Sequence, residues 1–482
     1  MKFYIVAIFI STFFLGCSSH TDDGVVAYFG GEIINPNNNY VTIYSNESER
    51  DTIYLDNQNR FIYKIKNLKS GLYSFTHGGE YQTLLIEPND SILFRLNTND
   101  FDESLVYTGE GSHKNNYFIR AFLNDESENK KFNKLQRLEP EEFEVHVKQQ
   151  KKRKLANLER FKAIHEVSPL FLKIANASIN YDYYAYKEMY PFGYFGNNQL
   201  IHVKDLPEGF YDYRSEIDFN DESLSGLYSY NRFLLWHFQN IGLQKYYHDG
   251  SHLAFNRHAL DYNMDKLTMI DSVIQNKTIK NYVLMYATRE FIFNSDNAEK
   301  SKSMLAAYLE KSTDEDNNQY ISDLVTSTIN LYPGNIIPSL EIVNFDNKVL
   351  DLHSVIKQPT VIYCWSSNFK WSYRNNHYMM KSLKARFPEV NFIAININDM
   401  DIQSWKKTLK LLKFPTENEY MFKNPNKAVK TFAIAYSQRV LIVNEKGTIV
   451  CSNADLFSDN IEKQIEKALV AKQAMPLTYT AK

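Results

Sequence analysis

The period of the hydrophobic residues changes twice along this chain, and each change limits what the following segment can fold into. Residues 25 to 110 carry short Val, Ile, Tyr, Phe and Leu runs, such as Val41 to Tyr44, Phe61 to Ile65 and Ile92 to Leu96, punctuated by Asn, Asp and Gly. Such runs predict the strands of a β-sandwich or barrel. From about 112 to 333 the apolar residues recur at helical spacing. Pro140, Glu141 and Glu142 read as a helix start, and Phe143, Val147, Leu155, Leu158 and Phe161 then share one face. Lys148, Lys151, Lys152, Arg153 and Lys154 are expected on the wet side of that helix. Leu224 to Gln239, Leu267 to Phe293 and Ala298 to Glu310 continue the helical pattern. Beyond 334 the two periods alternate. Thr360 to Cys364, Phe392 to Asn396, Val440 to Val443 and Thr448 to Cys451 read as strands, with helices near 374–386, 401–412 and 459–471. At 482 residues the chain exceeds one ordinary core of about 150 residues. The expected architecture is multidomain α+β: an N-terminal β-sandwich over 25–111, a helical domain over 112–333, an α/β domain over 334–471 and a tail over 472–482.

At the N-terminus Lys2 precedes an uncharged stretch from Phe3 to Leu15. A spanning helix needs about 20 apolar residues, so residues 1–16 read as a secretory signal peptide. Phe14-Leu15-Gly16-Cys17 resembles a lipobox, which implies a bacterial lipoprotein acylated on Cys17, with 17–24 as a lipidated tether. Ser18 stands where the resemblance would put the aspartate of inner-membrane retention, which points to the outer membrane. Asp22-Asp23 resembles the surface-export signal of Bacteroidota lipoproteins, while a plain solvated tether would read the same way. Cell surface is the expectation and the periplasmic face the alternative. Of the three cysteines only Cys364 and Cys451 follow Cys17, so the mature fold is expected to rest on its cores and not on a disulfide framework.

The formal net charge of -3 offers no basic excess for nucleic acid. Aromatic residues make up 15% of the chain and are densest around Tyr181, Tyr183, Tyr184, Tyr186 and Tyr190. That stretch is either the core side of a helix or an exposed platform for protein or glycan. His248, His252 and His258 are separated by Asp249-Gly250, which breaks the helix that would align them, so no metal is expected. No Gly-rich phosphate loop or nucleophile elbow occurs, and no cofactor is expected.

Thr360-Val361-Ile362-Tyr363-Cys364-Trp365-Ser366-Ser367 resembles the strand and turn that lead into the Cys-x-x-Cys motif of thioredoxin-like disulfide reductases of the TlpA type. Gly71-Leu72-Tyr73, Glu87 to Ile92 and Tyr107 to Gly111 resemble the small β domain that precedes such domains in Bacteroidota lipoproteins. The resemblance implies a thioredoxin-like fold over 334–471. Aligned on Trp365, however, the redox positions hold Phe369-Lys370-Trp371-Ser372, and Gln438 occupies the place of the cis-proline. The chemistry requires an activated thiolate and a second, resolving thiol. Phe369 and Ser372 supply neither, so the domain is expected to be redox-inactive and not an enzyme. A cis bond before a residue other than proline costs about 2.5–4 kcal/mol, so a trans peptide is expected before Gln438. Cys364 and Cys451 are expected to be buried and too far apart to bridge. These readings favour a scaffold or binding subunit of an envelope complex, with an outer-membrane β-barrel among its candidate partners. A glycan- or ligand-binding lipoprotein of nutrient uptake is the alternative, and a thiol-disulfide oxidoreductase a weaker one.

Overall fold

A computed structural model describes residues 25–45, 50–194, 206–247, 256–295, 297–366, 370–398, 402–434 and 438–470. Its first part contains β1 (Ala27–Ile34), β2 (Tyr40–Ser45), β3 (Asp51–Tyr54), β4 (Arg60–Ile65), β5 (Gly71–His77), β6 (Glu80–Ile86), β7 (Ser91–Asn97), α1 (Phe101–Ser104) and β8 (Val106–Thr108). They form two four-stranded sheets, β4-β1-β7-β8 and β3-β2-β5-β6. Period-two patterning explains the layering: Ile92, Phe94 and Leu96 of β7 are buried while Ser91, Leu93 and Arg95 face out. Phe29 and Phe94 from one sheet meet Phe75 from the other, the Phe75 and Phe94 rings stacking at 4.9 Å. Turn residues Asn35, Asn59, Asn67 and Asn89 take positive φ, a conformation asparagine tolerates better than branched residues do. β1 also pairs in parallel with β7, more than fifty residues later, a long-range pairing that local patterning does not encode.

The helical part comprises α2 (Ser112–Leu135), α3 (Pro140–Lys162), α4 (Pro169–Tyr194), α5 (Tyr228–Tyr247), α6 (Leu260–Val273), α7 (Lys277–Asn294), α8 (Ala298–Leu309) and α9 (Glu315–Asn330). Two turns of the β part grip the start of α2. The buried Lys114 ammonium bonds Glu87 at 2.8 Å and Asp90 at 2.7 Å, and Asn115 bonds both the N–H and the carbonyl of Leu85. Pro140 opens α3 as expected. The wet-face expectation needs correction, because Lys154 turns inward to Asp125 at 2.6 Å and Asp182. Helix α3 packs against α4, so its polar stripe is only partly solvated. Leu267 to Phe293 is likewise not one helix: the chain breaks after Val273, and the Asn276 side chain caps α7 by accepting from the Ile279 N–H.

The remainder is β9 (Glu341–Asn344), β10 (Val349–Asp351), α10 (Leu352–Val355), β11 (Thr360–Trp365), α11 (Lys370–Arg386), β12 (Asn391–Asn396), α12 (Ile402–Leu412), β13 (Glu419–Phe422), α13 (Pro425–Thr431), β14 (Gln438–Val443), β15 (Ile449–Cys451) and α14 (Ile461–Val470). The sheet order is β10-β9-β13-β12-β11-β14-β15. Strand β11 is parallel to β12 across α11 and antiparallel to β14, which turns back into β15. That order and those connections are thioredoxin-like. Every residue of β11 is buried, as a central strand covered on both faces requires. One face carries Val361, Tyr363 and Trp365 under α11, α12 and α14. The other face, with Ile362, Cys364, Leu441 and Val443, continues without a break into the core of the helices.

Candidate functional site

The β11-to-α11 turn is where a thioredoxin-like domain would place its redox pair. Phe369 lies outside the described residues. Ser372 falls within α11 and Gln438 at the start of β14, with only their backbones described. The peptide before Gln438 begins at residue 437, outside the described residues, as do Cys17, His248 and His252.

Beneath this turn the structure gathers a group that pattern reading missed. His377 of α11 sits in an aromatic box, stacked on Phe414 at 4.0 Å and edge-on to Trp365 at 5.1 Å. Its Nδ1 lies 2.7 Å from the Tyr373 carbonyl and its Nε2 lies 3.0 Å from Glu419 Oε1. A carbonyl only accepts, so Nδ1 carries a proton and the Nε2–Oε1 contact shares another. Burial pushes the Glu419 carboxyl above its ordinary range, and His377 and the Trp365 indole pull it partly back. Asn376 adds a 3.1 Å bond to the Tyr363 hydroxyl. The pair can hold a proton inside the domain, but neither member is a redox nucleophile. The signal in the sequence was a carboxylate opening the short apolar run Glu419-Tyr420-Met421-Phe422.

Cys364 is fully buried on the opposite face of the sheet. Burial pushes its thiol up to about 12, so it stays protonated. Cys364 pairs across with Arg439, whereas Cys451 pairs with Ile442 on the far side of β14. Two strand spacings across and three residues along separate the α-carbons by roughly 14 Å, twice what a disulfide allows. Arg439 is itself buried and donates from Nε to Ser452 O at 2.8 Å and from Nη1 to Ala433 O at 2.7 Å. It ties the turn after α13 to the bend that follows β15.

The platform reading of the tyrosine stretch is corrected. Tyr181, Tyr183, Tyr186 and Tyr190 are at most 8% exposed, and Tyr184 is half-buried against Tyr213 at 4.2 Å. Helical spacing turns these rings onto α3, α5 and the 206–214 segment, where hydroxyl partners compensate their burial: Tyr183 donates to Glu144 at 3.0 Å and Tyr190 to the Leu138 carbonyl at 2.7 Å. Among these rings lies the fully buried Glu188. It accepts from Tyr213 at 3.0 Å and from Arg214, and His237 Nδ1 lies 2.8 Å away. Burial alone would raise its carboxyl, but the His237 bond and the Arg214 guanidinium outweigh it and hold the carboxyl below its ordinary value. The charged pair Lys187-Glu188 inside an aromatic helix was the available signal.

Among the described residues no group of three or more His, Cys, Asp or Glu side chains converges as a metal site, and no helix is long and apolar enough to cross a membrane. No family model matches the chain, and no curated protein matches it. Solved structures similar to part of it include a thiol:disulfide interchange protein from Bacteroides sp. (18% identity, 28% of this chain and 90% of that one, TM-score 0.25). Others are the thioredoxin domain of a thiol-disulfide oxidoreductase from Bacteroides vulgatus (16%, 28% and 97%, 0.25) and the exposed lipoprotein thioredoxin of Streptococcus pneumoniae (12%, 27% and 99%, 0.23). Less than a third of the chain thus has a thioredoxin-like counterpart among them, and the assignment of the C-terminal sheet rests on its own strand order.

Proposed function

We propose that this chain is a non-catalytic binding or scaffold subunit of an envelope complex, anchored in the outer membrane through acylated Cys17 and facing the cell surface. One combination carries the reading: the C-terminal sheet has thioredoxin-like strand order, and the sequence aligned on Trp365 puts Phe369 and Ser372 at the two thiol positions. A fold can keep its surfaces after its chemistry is gone. The two remaining described cysteines are remote from each other and one is sealed in the core, which supports the same conclusion. An outer-membrane β-barrel is the partner class this location favours. The glycan-binding alternative loses the tyrosine stretch that motivated it, since those rings are buried.

Extraction of the tagged protein in mild detergent, followed by mass spectrometry, tests the proposal. A reproducible envelope partner that resists moderate salt is expected. Recovery of the chain alone under every detergent and salt condition would overturn the scaffold reading. Protease shaving of intact cells separately tests orientation: digestion before lysis is expected, and protection until lysis would move the domains to the periplasm.

A further inference from the structure

Helices α5, α6 and α7 line a partly open cavity of about 140 Å³. Phe238, Ile270, Val283 and Ala287 form apolar walls and are essentially buried. Lys266 lines the same space and is only 3% exposed. Its ammonium lies 5.4 Å from the centroid of the Tyr262 ring, whose hydroxyl is already committed to the Gln239 carbonyl at 2.7 Å. Among the described residues no carboxylate comes within ion-pair distance of it. The nearest charge of opposite sign, Glu290, sits exposed at the rim. A buried ammonium that faces a largely apolar space, with no ion-pair partner among the described residues, is a costly arrangement, and one that a bound anion relieves.

We propose that this cavity binds a small monocarboxylate, whose carboxylate pairs with Lys266 and whose apolar body lies against Phe238, Ile270, Val283 and Ala287. The volume suits a body of a few carbon atoms, since an apolar cavity of about 150 Å³ holds benzene. A single cation matches one negative charge. A phosphate or dicarboxylate would bring a second charge to apolar wall or to Glu290, which repels it. Burial lowers the Lys266 pKa, and a carboxylate bound beside the ammonium would raise it again.

Isothermal titration of the full chain in mild detergent with isobutyrate tests the site. Saturable one-to-one binding is expected, with at least a tenfold loss for the neutral isostere isobutyramide and for succinate. Lys266→Met, close in length and uncharged, should retain the fold and lose isobutyrate at least tenfold. Should that variant fail to fold, Ala287→Leu, which fills the cavity from its wall, must abolish binding. No isobutyrate binding at about 10 mM, equal affinity for isobutyrate and isobutyramide, or unchanged binding by a folded Lys266→Met or Ala287→Leu variant would each overturn the proposal.

Discussion

Replacing Glu188 by Gln probes the most deeply buried carboxylate described here, and its cost can be reasoned from the partners. Glu188 is fully buried and serves as acceptor for the Arg214 guanidinium, the Tyr213 hydroxyl and the His237 ring. Gln preserves volume but cancels the charge and turns an amide N–H₂ either toward the Arg214 guanidinium, which can only donate, or toward the Tyr213 hydroxyl and His237 ring, which must then give up the bonds they donate. Arg214, 17% exposed at its side chain, would keep its charge without the counter-ion. Removing one partner of a buried pair costs about 3–5 kcal/mol, a large share of the roughly 5–15 kcal/mol that holds a domain folded. Urea unfolding followed by helical circular dichroism measures the loss. Because Arg214 and Glu188 act on each other, Glu188→Gln with Arg214→Met should cost less than the sum of the single changes by about 1–3 kcal/mol. The pH dependence has a defined sign. The folded carboxyl lies below its unfolded value near 4.5, so its stabilisation is complete above that value and disappears as pH falls through the folded pKa. Glu188→Gln should lack this acid-side slope. A cost below about 1 kcal/mol, or strict additivity with Arg214→Met, would refute the reasoning.

Three further outcomes follow from other parts of the fold. Gly31→Ala would place a Cβ 2.7 Å from the Phe94 carbonyl oxygen and 2.8 Å from its ring, so it should cost about 1–3 kcal/mol in urea unfolding, and an unaffected midpoint would contradict the close sheet packing. Cys364, with its thiol pushed up to about 12 by burial, should resist a thiol reagent in the native chain and react fully in denaturant; fast native labelling at that residue would refute its burial. Burial holds the Glu419 carboxyl above 4.5, so the folded state binds more protons than the unfolded one. Stability should therefore fall as pH rises from about 4.5 through the folded pKa, and Glu419→Gln should flatten that slope; an unchanged slope would show that the carboxyl is not perturbed.

Local chemistry made much of this architecture readable. Alternation in segments such as Ser91 to Asn97, asparagines at left-handed turns and Pro140 before two glutamates are signals within a few residues of the structure they specify. Thr360 to Cys364 read as a strand, and the lack of polar alternation after Thr360 fits the burial of both its faces. Long-range choices were not legible. The parallel pairing of β1 with β7 depends on residues far apart, and the hairpin of β9 with β10 and the short strand β13 are too brief to stand out from their flanks. The tyrosines of α4 could serve a core, the simpler reading, or a platform, and their burial with the Glu144, Leu138 and Asn129 acceptors of their hydroxyls decides for the core. Lys154 and Lys266 resemble ordinary surface lysines whose stems snorkel along a helix, because nothing nearby in sequence shows that other helices close over them. At the turn after β11 the situation reverses: the sequence aligned on Trp365 offers Phe369 and Ser372 where the resemblance would put thiols, whereas their side chains lie outside what the structure describes.

The central claim, a thioredoxin-like domain without redox chemistry, is tested most directly by insulin-disulfide reduction with dithiothreitol as electron source. The purified chain should leave the precipitation rate at that of dithiothreitol alone, while thioredoxin in parallel accelerates it. Acceleration by this chain comparable to that of thioredoxin would contradict both the alignment of Phe369 and Ser372 with the thiol positions and the scaffold function built on it.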